Sequence, residues 1–277
     1  DTTTMARILI PTDFSSGALN AAVYAVRLFG SEGNRFVLLN TFMMPPGGAS
    51  TMWNIDDLLA KESLAGLQQF EAVLRNALPG VDVNLEVVCE HGDLPNVIDR
   101  YLTDAEKPIC VVMGTQGASG LQEALFGSNT ASVIKHGSFP VIAVPGKAEY
   151  RAPKRIVLAD DGGPVSRDAL ALLLDIARWS QSELRIARVV NEQVTADDSR
   201  TQAYDQLLGG IPHSQQFLSA EHVETALNDL AEQGDADMLA VLHRKRGLFQ
   251  GLFHRSTAAK LAMHTHLPLL VLQQADR

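Results

Sequence analysis

The chain has 277 residues, 46% of them hydrophobic and 20% charged, and carries a formal net charge of −9. That is the composition of a globular chain of one large or two ordinary domains, and no apolar run approaches the ~20 residues a membrane-spanning helix requires. The acidic balance argues against general nucleic-acid binding, which needs concentrated Lys and Arg, and two cysteines make no disulfide framework, so a reducing cytoplasm is the expected compartment.

The opening "DTTTMARILIP" lacks a basic region followed by an apolar stretch, so it does not read as a secretory signal; Met5 stands directly before the first apolar run and reads as a natural start. Strand-like runs follow at 6–11, 35–42, 82–89, 108–114 and 140–145, with helical patterns near 16–29, 55–78, 94–106 and 128–137. Within 55–78, Leu58, Leu59, Leu64, Leu67, Phe70, Val73 and Leu74 recur at helical spacing. The strands are short, apolar on both faces and rich in Ile, Val and Leu, as buried parallel strands are. Cys89 and Cys110 fall in two of them and read as apolar side chains rather than reactive thiols. Alternating strands and helices with right-handed crossovers build a doubly wound α/β sheet.

The order then repeats. Arg7-Ile8-Leu9-Ile10 matches Arg155-Ile156-Val157-Leu158, after which Asp13 falls on Asp161; "PICVVMG" matches "DMLAVLH", and "FPVIAVP" matches "LPLLVLQ". The second copy has strand-like runs near 155–160, 184–190, 215–219, 237–242 and 268–273, and helical patterns near 165–179, 221–233 and 255–265. The chain thus divides into domains at 1–148 and 153–277, each a doubly wound parallel sheet of five strands, with a linker near "GKAEYRAPK". Runs 140–145 and 268–273 each end a domain as an apolar edge. Antiparallel pairing of the two would satisfy both and relate the halves by a pseudo-two-fold axis.

In such sheets, ligands sit beyond the carboxyl ends of the strands, where strand order reverses. Two of those ends are chemically distinctive. "ILIPTDFS" places Thr12 and Asp13 past the first strand, and "VVMGTQGASG" follows the fourth. Gly127 and Ser128 then open a helix whose first N–H groups lack partners and carry partial positive charge. A phosphate fits there, with glycines letting backbone approach it and Ser128 and Asn129 adding hydrogen bonds. Asp13 would accept from a base amino group or a ribose hydroxyl. The loop is neither Gly-Lys-Ser/Thr nor Gly-x-Gly-x-x-Gly, and glycines that merely make a tight turn are the competing reading.

The spacing Gly114, two residues, Gly117, nine residues, Gly127-Ser128 resembles the ATP-binding signature of the universal stress proteins. "ILIPTDFS", "HGDLPNVI", "VVMGTQGASGL" and "SFPVIAVP" match that family in order, and the resemblance covers the whole chain as a tandem pair; Pro108 stands where the family usually has Asp. The resemblance implies a Rossmann-like fold of the adenine nucleotide alpha-hydrolase type. It implies Thr12 and Asp13 at adenine and ribose, Thr41 by backbone contact, Met113 and Gly114 beside ribose and phosphates, and Gly117, Gly127, Ser128 and Asn129 around the phosphates. It also implies ATP with Mg²⁺ held through phosphate oxygens, a protein partner of unknown identity, and pairing through the last strands, with a homodimer of tandem chains left open.

The second half departs from the pattern. His243 stands opposite Gly114, Arg246 opposite Gly117 and Arg255 opposite Gly127, although Ser256 survives, so this half is not expected to bind ATP in the family's manner. His243, His254, His264 and His266 lack a completing Cys or carboxylate, which favours no metal site. The run "HRKR" is an anion site or, more simply, a solvated loop. A lone Asp13 reads as a ligand contact rather than a catalytic acid or base, and Ser128 has no adjacent base to make it a nucleophile. Three functions remain in competition: a nucleotide-dependent stress-response protein with slow hydrolysis at most, a nucleotide-using enzyme with an acceptor site in the second half, and an interaction scaffold with a structural nucleotide.

Overall fold

The computed structural model describes residues 6–43, 55–101, 107–115, 127–160, 162–190, 198–219, 236–244 and 267–274. In chain order the first half comprises β1 (Ala6–Pro11), α1 (Ser16–Phe29), β2 (Asn34–Phe42), α2 (Ile55–Ala77), β3 (Leu85–His91), α3 (Leu94–Arg100), β4 (Cys110–Gly114), α4 (Ser128–His136) and β5 (Val141–Val144). The second comprises β6 (Arg155–Asp160), α5 (Arg167–Ser180), β7 (Glu183–Val190), α6 (Asp198–Leu208), β8 (His213–Ser219), β9 (Met238–His243) and β10 (Leu269–Gln273).

All ten strands form one sheet in the order β3-β2-β1-β4-β5-β10-β9-β6-β7-β8. Neighbours within each half run parallel. At the centre β5 meets β10 antiparallel, with Leu270 opposite Ile142 and Val271 opposite Val141. The expected edge pairing is therefore present, and the two strand orders mirror one another across it. Successive strand residues face opposite sides. Ile8, Ile10, Phe36 and Leu38 pack with α1 and α2, and their second-half counterparts with α5 and α6, in one core. Leu9, Val37, Val111 and Met113 pack with α3 and α4 in the other. Burial on both faces explains why the strands read as continuous apolar runs.

Local chemistry sets the helix ends. Ser15, Asp93 and Ser166 cap α1, α3 and α5, each side chain accepting from the N–H three residues on. The halves are also tied outside the sheet. Asn20 of α1 donates through Nδ2 to the carbonyls of Pro145 and Ala148, at 3.0 and 2.9 Å, pinning the linker. Phe29 meets Trp179 edge-on at 6.1 Å.

Several expectations need correction. The stripe proposed for α2 is split: Ser63, Leu67, Phe70 and Leu74 are buried, whereas Leu58, Leu64 and Val73 are exposed. Those three lie off the line defined by the buried positions at steps of four, three and four. Strand β3 starts at Leu85 rather than 82, with Val83 O before it accepting from Arg75 at 3.1 Å, and it continues to His91 opposite Phe42. Helix α6 was not expected at all. Its sequence is polar and weakly patterned, and of its residues Tyr204 and Leu208 supply buried contacts. Strand β8 begins at His213, two residues before the apolar pattern announces it. Helix α3 ends at Arg100, and the helical patterns at 221–233 and 255–265 lie outside the described residues.

Candidate functional site

The strand order reverses between β1 and β4 in the first half, and there the two strands part. Their register holds at Ile8–Cys110 and Leu9–Val111, while β1 stays paired with β2 to Pro11 and β4 runs on with β5 to Gly114. A crevice opens between the carboxyl ends. It holds a pocket of about 300 Å³, within the range of small-molecule sites.

Eight of the nine residues singled out from the sequence line this pocket: Thr12 and Asp13 from the end of β1, Thr41 from β2, Met113 and Gly114 from β4, and Gly127, Ser128 and Asn129 at the start of α4. Gly117 lies outside the described residues. The base of the glycine segment is closed by a backbone bond from Gly127 N to Thr115 O of 2.6 Å, and Thr130 Oγ1 donates to Gly114 O at 2.8 Å. These two bonds fix α4 against the end of β4. No side chain caps α4, unlike α1, α3 and α5. Its first N–H groups and the positive end of its dipole therefore face the pocket unsatisfied by the helix itself.

On the opposite wall the chain turns sharply after β1. Thr12 Oγ1 accepts from Phe14 N at 3.0 Å and Asp13 Oδ1 accepts from Ser15 N at 3.1 Å. Phe14 sits at φ 65°, a left-handed conformation uncommon for a bulky residue. Its ring lies against α2 at Gly66, where a Cβ would stand 2.7 Å from the ring. The strain is held by the two side-chain turns and this contact, and it presents Thr12 and Asp13 to the crevice. Among the described lining residues Asp13 is the one carboxylate, and none is His, Cys, Lys or Arg.

Sequence reasoning missed Asn40. It lines the pocket and ties three elements: its Nδ2 donates to Thr12 O at 2.7 Å, its Oδ1 accepts from Ser63 Oγ of α2 at 2.6 Å, and Cys89 Sγ of β3 donates to Ser63 Oγ at 3.1 Å. A polar residue interrupting the apolar run "FVLLN" at the carboxyl end of a parallel strand was the signal available. Cys89 is part of this network. Cys110 is fully buried, and burial pushes its thiol far above the ordinary range, as expected of an inert core cysteine.

Gly114 has a second reason for being glycine. A Cβ there would lie 2.9 Å from Gly17 O of α1, so what approaches this backbone most closely is the protein's own helix. Gly114→Ala must push α1 away from β4. The expected loss is ~1–3 kcal/mol, read as a fall in the urea midpoint; an unchanged midpoint would show that α1 yields freely.

At the equivalent place in the second half the described residues include two arginines. Arg188 stands where β2 has Asn40, and its Nε lies 3.9 Å from Asp160 Oδ2, both side chains buried. Arg244 follows β9 where Thr115 follows β4, folds over Gly163 and donates to Pro164 O at 2.8 Å. His243, opposite Gly114, is buried, and burial lowers its pKa, favouring the neutral ring. Asp161, Arg246, Arg255, Ser256, His254, His264 and His266 lie outside the described residues. Among the described residues no three His, Cys, Asp or Glu side chains cluster to hold a metal. Nor is any helix there long and apolar enough to cross a membrane. Pro108 also contrasts with its counterpart: Asp237 accepts from the backbone N–H groups of Lys154 and Arg155 at 3.1 and 2.9 Å and pairs with the Arg155 guanidinium, a tie that proline cannot make.

The universal stress protein family model matches residues 5–145 and again 153–273. A universal stress protein of Methanocaldococcus jannaschii is 30% identical over 142 residues, covering 50% of this chain and 81% of that one. A universal stress protein of Mycolicibacterium smegmatis is 25% identical over 193 residues, covering 64% of this chain and 66% of that one. Among solved structures, a universal stress protein from Archaeoglobus fulgidus shares the fold over 97% of this chain and 98% of its own, at 17% identity and a TM-score of 0.70.

Proposed function

This chain belongs to the universal stress protein family as two of its domains in tandem, and from that premise we propose that the first half binds ATP while the second serves as its structural partner. The carrying observation is the uncapped N-terminus of α4 at one end of the pocket, with Thr12 and Asp13 at the other. In this reading the N–H groups of Ser128, Asn129 and Thr130 receive phosphate oxygens. Asp13 accepts from ribose or base, and Thr41 contributes backbone groups at the end of β2. Gly117 enters this reading only through the resemblance of its spacing to the family signature. Asn40 holds the Thr12 carbonyl in position rather than touching the nucleotide.

Mg²⁺ enters this reading as a counter-ion that offsets phosphate charge and is held mainly by phosphate oxygens. Hydrolysis in this site is slow in this reading, because among the described lining residues Asp13 alone has acid or base chemistry to offer a water. Nucleotide occupancy then acts on shape: α1 and α4 both begin at the pocket, and α1 reaches the linker through Asn20. A protein that reads this difference is the expected partner in a stress response.

Calorimetry with ATP and Mg²⁺ on nucleotide-free protein is expected to give about one site per chain, and mass analysis of protein as purified should show an adenine nucleotide. Two equivalent sites would overturn the assignment of the second half. Absence of any saturable binding would overturn the reading as a whole.

A further inference from the structure

A second cavity, of about 390 Å³, lies where the linker after β5 crosses α1. One wall is the linker, held by the two Asn20 bonds to Pro145 O and Ala148 O. Two cations line it, Arg27 of α1 and Lys147 of the linker, against one carboxylate, Glu149. Among the described residues neither cation forms an ion pair, although the chain has 32 acidic residues to 23 basic ones. Tyr24 also lines the cavity. It is 1% exposed, and its hydroxyl has no hydrogen-bond partner among the described residues. Tyr150 stands edge-on to it at 5.2 Å. Burial raises the pKa of both phenols, with Arg27 opposing the rise at Tyr150, so both remain protonated donors.

A buried donor left unpaired is costly, and in the same lining Arg27 and Lys147 outnumber the one carboxylate, Glu149. We propose that this cavity binds a small oxyanion, carrying phosphate or carboxylate oxygens, between Arg27 and Lys147 with the Tyr24 and Tyr150 hydroxyls donating to it. Charge-assisted bonds to an oxyanion satisfy both kinds of group at once. The ligand would clamp the linker to α1, at the junction of the two halves and away from the pocket at the strand ends.

The chain contains four tyrosines, and none lines the first pocket. Full-length protein labelled with ¹³C at tyrosine can therefore be titrated by NMR with inorganic phosphate, with citrate, and with sodium chloride at matched ionic strength. Phosphate or citrate should shift the Tyr24 and Tyr150 signals saturably while Tyr101 and Tyr204 stay fixed. Whichever anion binds more tightly identifies the class. Arg27→Met combined with Lys147→Met, two exposed positions where folding is not at stake, should weaken that binding about tenfold or more. Tyr24→Phe should weaken it less and leave the Tyr150 response in place. The proposal is overturned if neither anion shifts Tyr24 and Tyr150 saturably. Shifts that chloride reproduces at equal ionic strength, or that survive in the Arg27/Lys147 variant, overturn it equally.

Discussion

Leu270→Asp is expected to leave the chain without a stable fold. Leu270 lies opposite Ile142 in the antiparallel pair at the centre of the sheet, and neither side chain has any exposure. Both belong to the core shared by α1, α2, α5 and α6. A carboxylate there stands among apolar side chains and must either ionise in that interior or hold a proton at a cost. The penalty is about 4 kcal/mol or more, against a total stability of roughly 5–15 kcal/mol. Leu270→Met keeps the volume and should cost less than about 1.5 kcal/mol. Urea unfolding followed by circular dichroism compares the three proteins. If the Asp variant unfolds at the parent's midpoint, the central pairing does not hold the halves together as described.

Gly127→Val is the corresponding experiment on the site. Gly127 sits at φ −52°, ψ 152°, backbone that any residue adopts, so the variant should fold. Its N–H still reaches Thr115 O. What changes is the mouth of α4, where a branched side chain would stand in front of the N–H groups proposed to receive phosphate. ATP affinity should fall about 100-fold or more, equivalent to roughly 2.8 kcal/mol. Calorimetry measures the loss and circular dichroism verifies the fold. Undiminished affinity in a folded variant would move the phosphates elsewhere.

Strand existence, strand type and the repeat were legible because strands buried on both faces carry an unbroken apolar signal: "ARILIP" and "KRIVLA" announce themselves twice. The antiparallel seam was legible too, since an apolar edge ending each half needs a cover. Helix α6 was not legible, because a helix whose buried side chains, among the described ones, are Tyr204 and Leu208 writes almost no periodicity into its sequence. The over-wide stripe on α2 has the opposite cause: Leu58, Leu64 and Val73 are apolar without being core, which is ordinary for surface positions. In the candidate site, the described residues carried by motif came together in space, whereas Asn40 showed only as a polar end to "FVLLN", because its partners Thr12 and Ser63 are far away in the chain. Gly114 was read as room for a ligand, and only the close approach of Gly17 shows that it is also room for a helix.

The seam between β5 and β10 has a consequence for how the protein responds to concentration and to mutation. Because both strands belong to one chain, their pairing is an intramolecular event with an effective concentration in the millimolar range, and dilution does not separate the halves. Two copies of a single gene product meeting at such an edge would carry every substitution twice. Here a change on one side is not echoed on the other. Arg188 and Arg244 could therefore take the places of Asn40 and Thr115 in the second half without altering the first, and the tandem chain is free to change one end of its sheet while keeping the other.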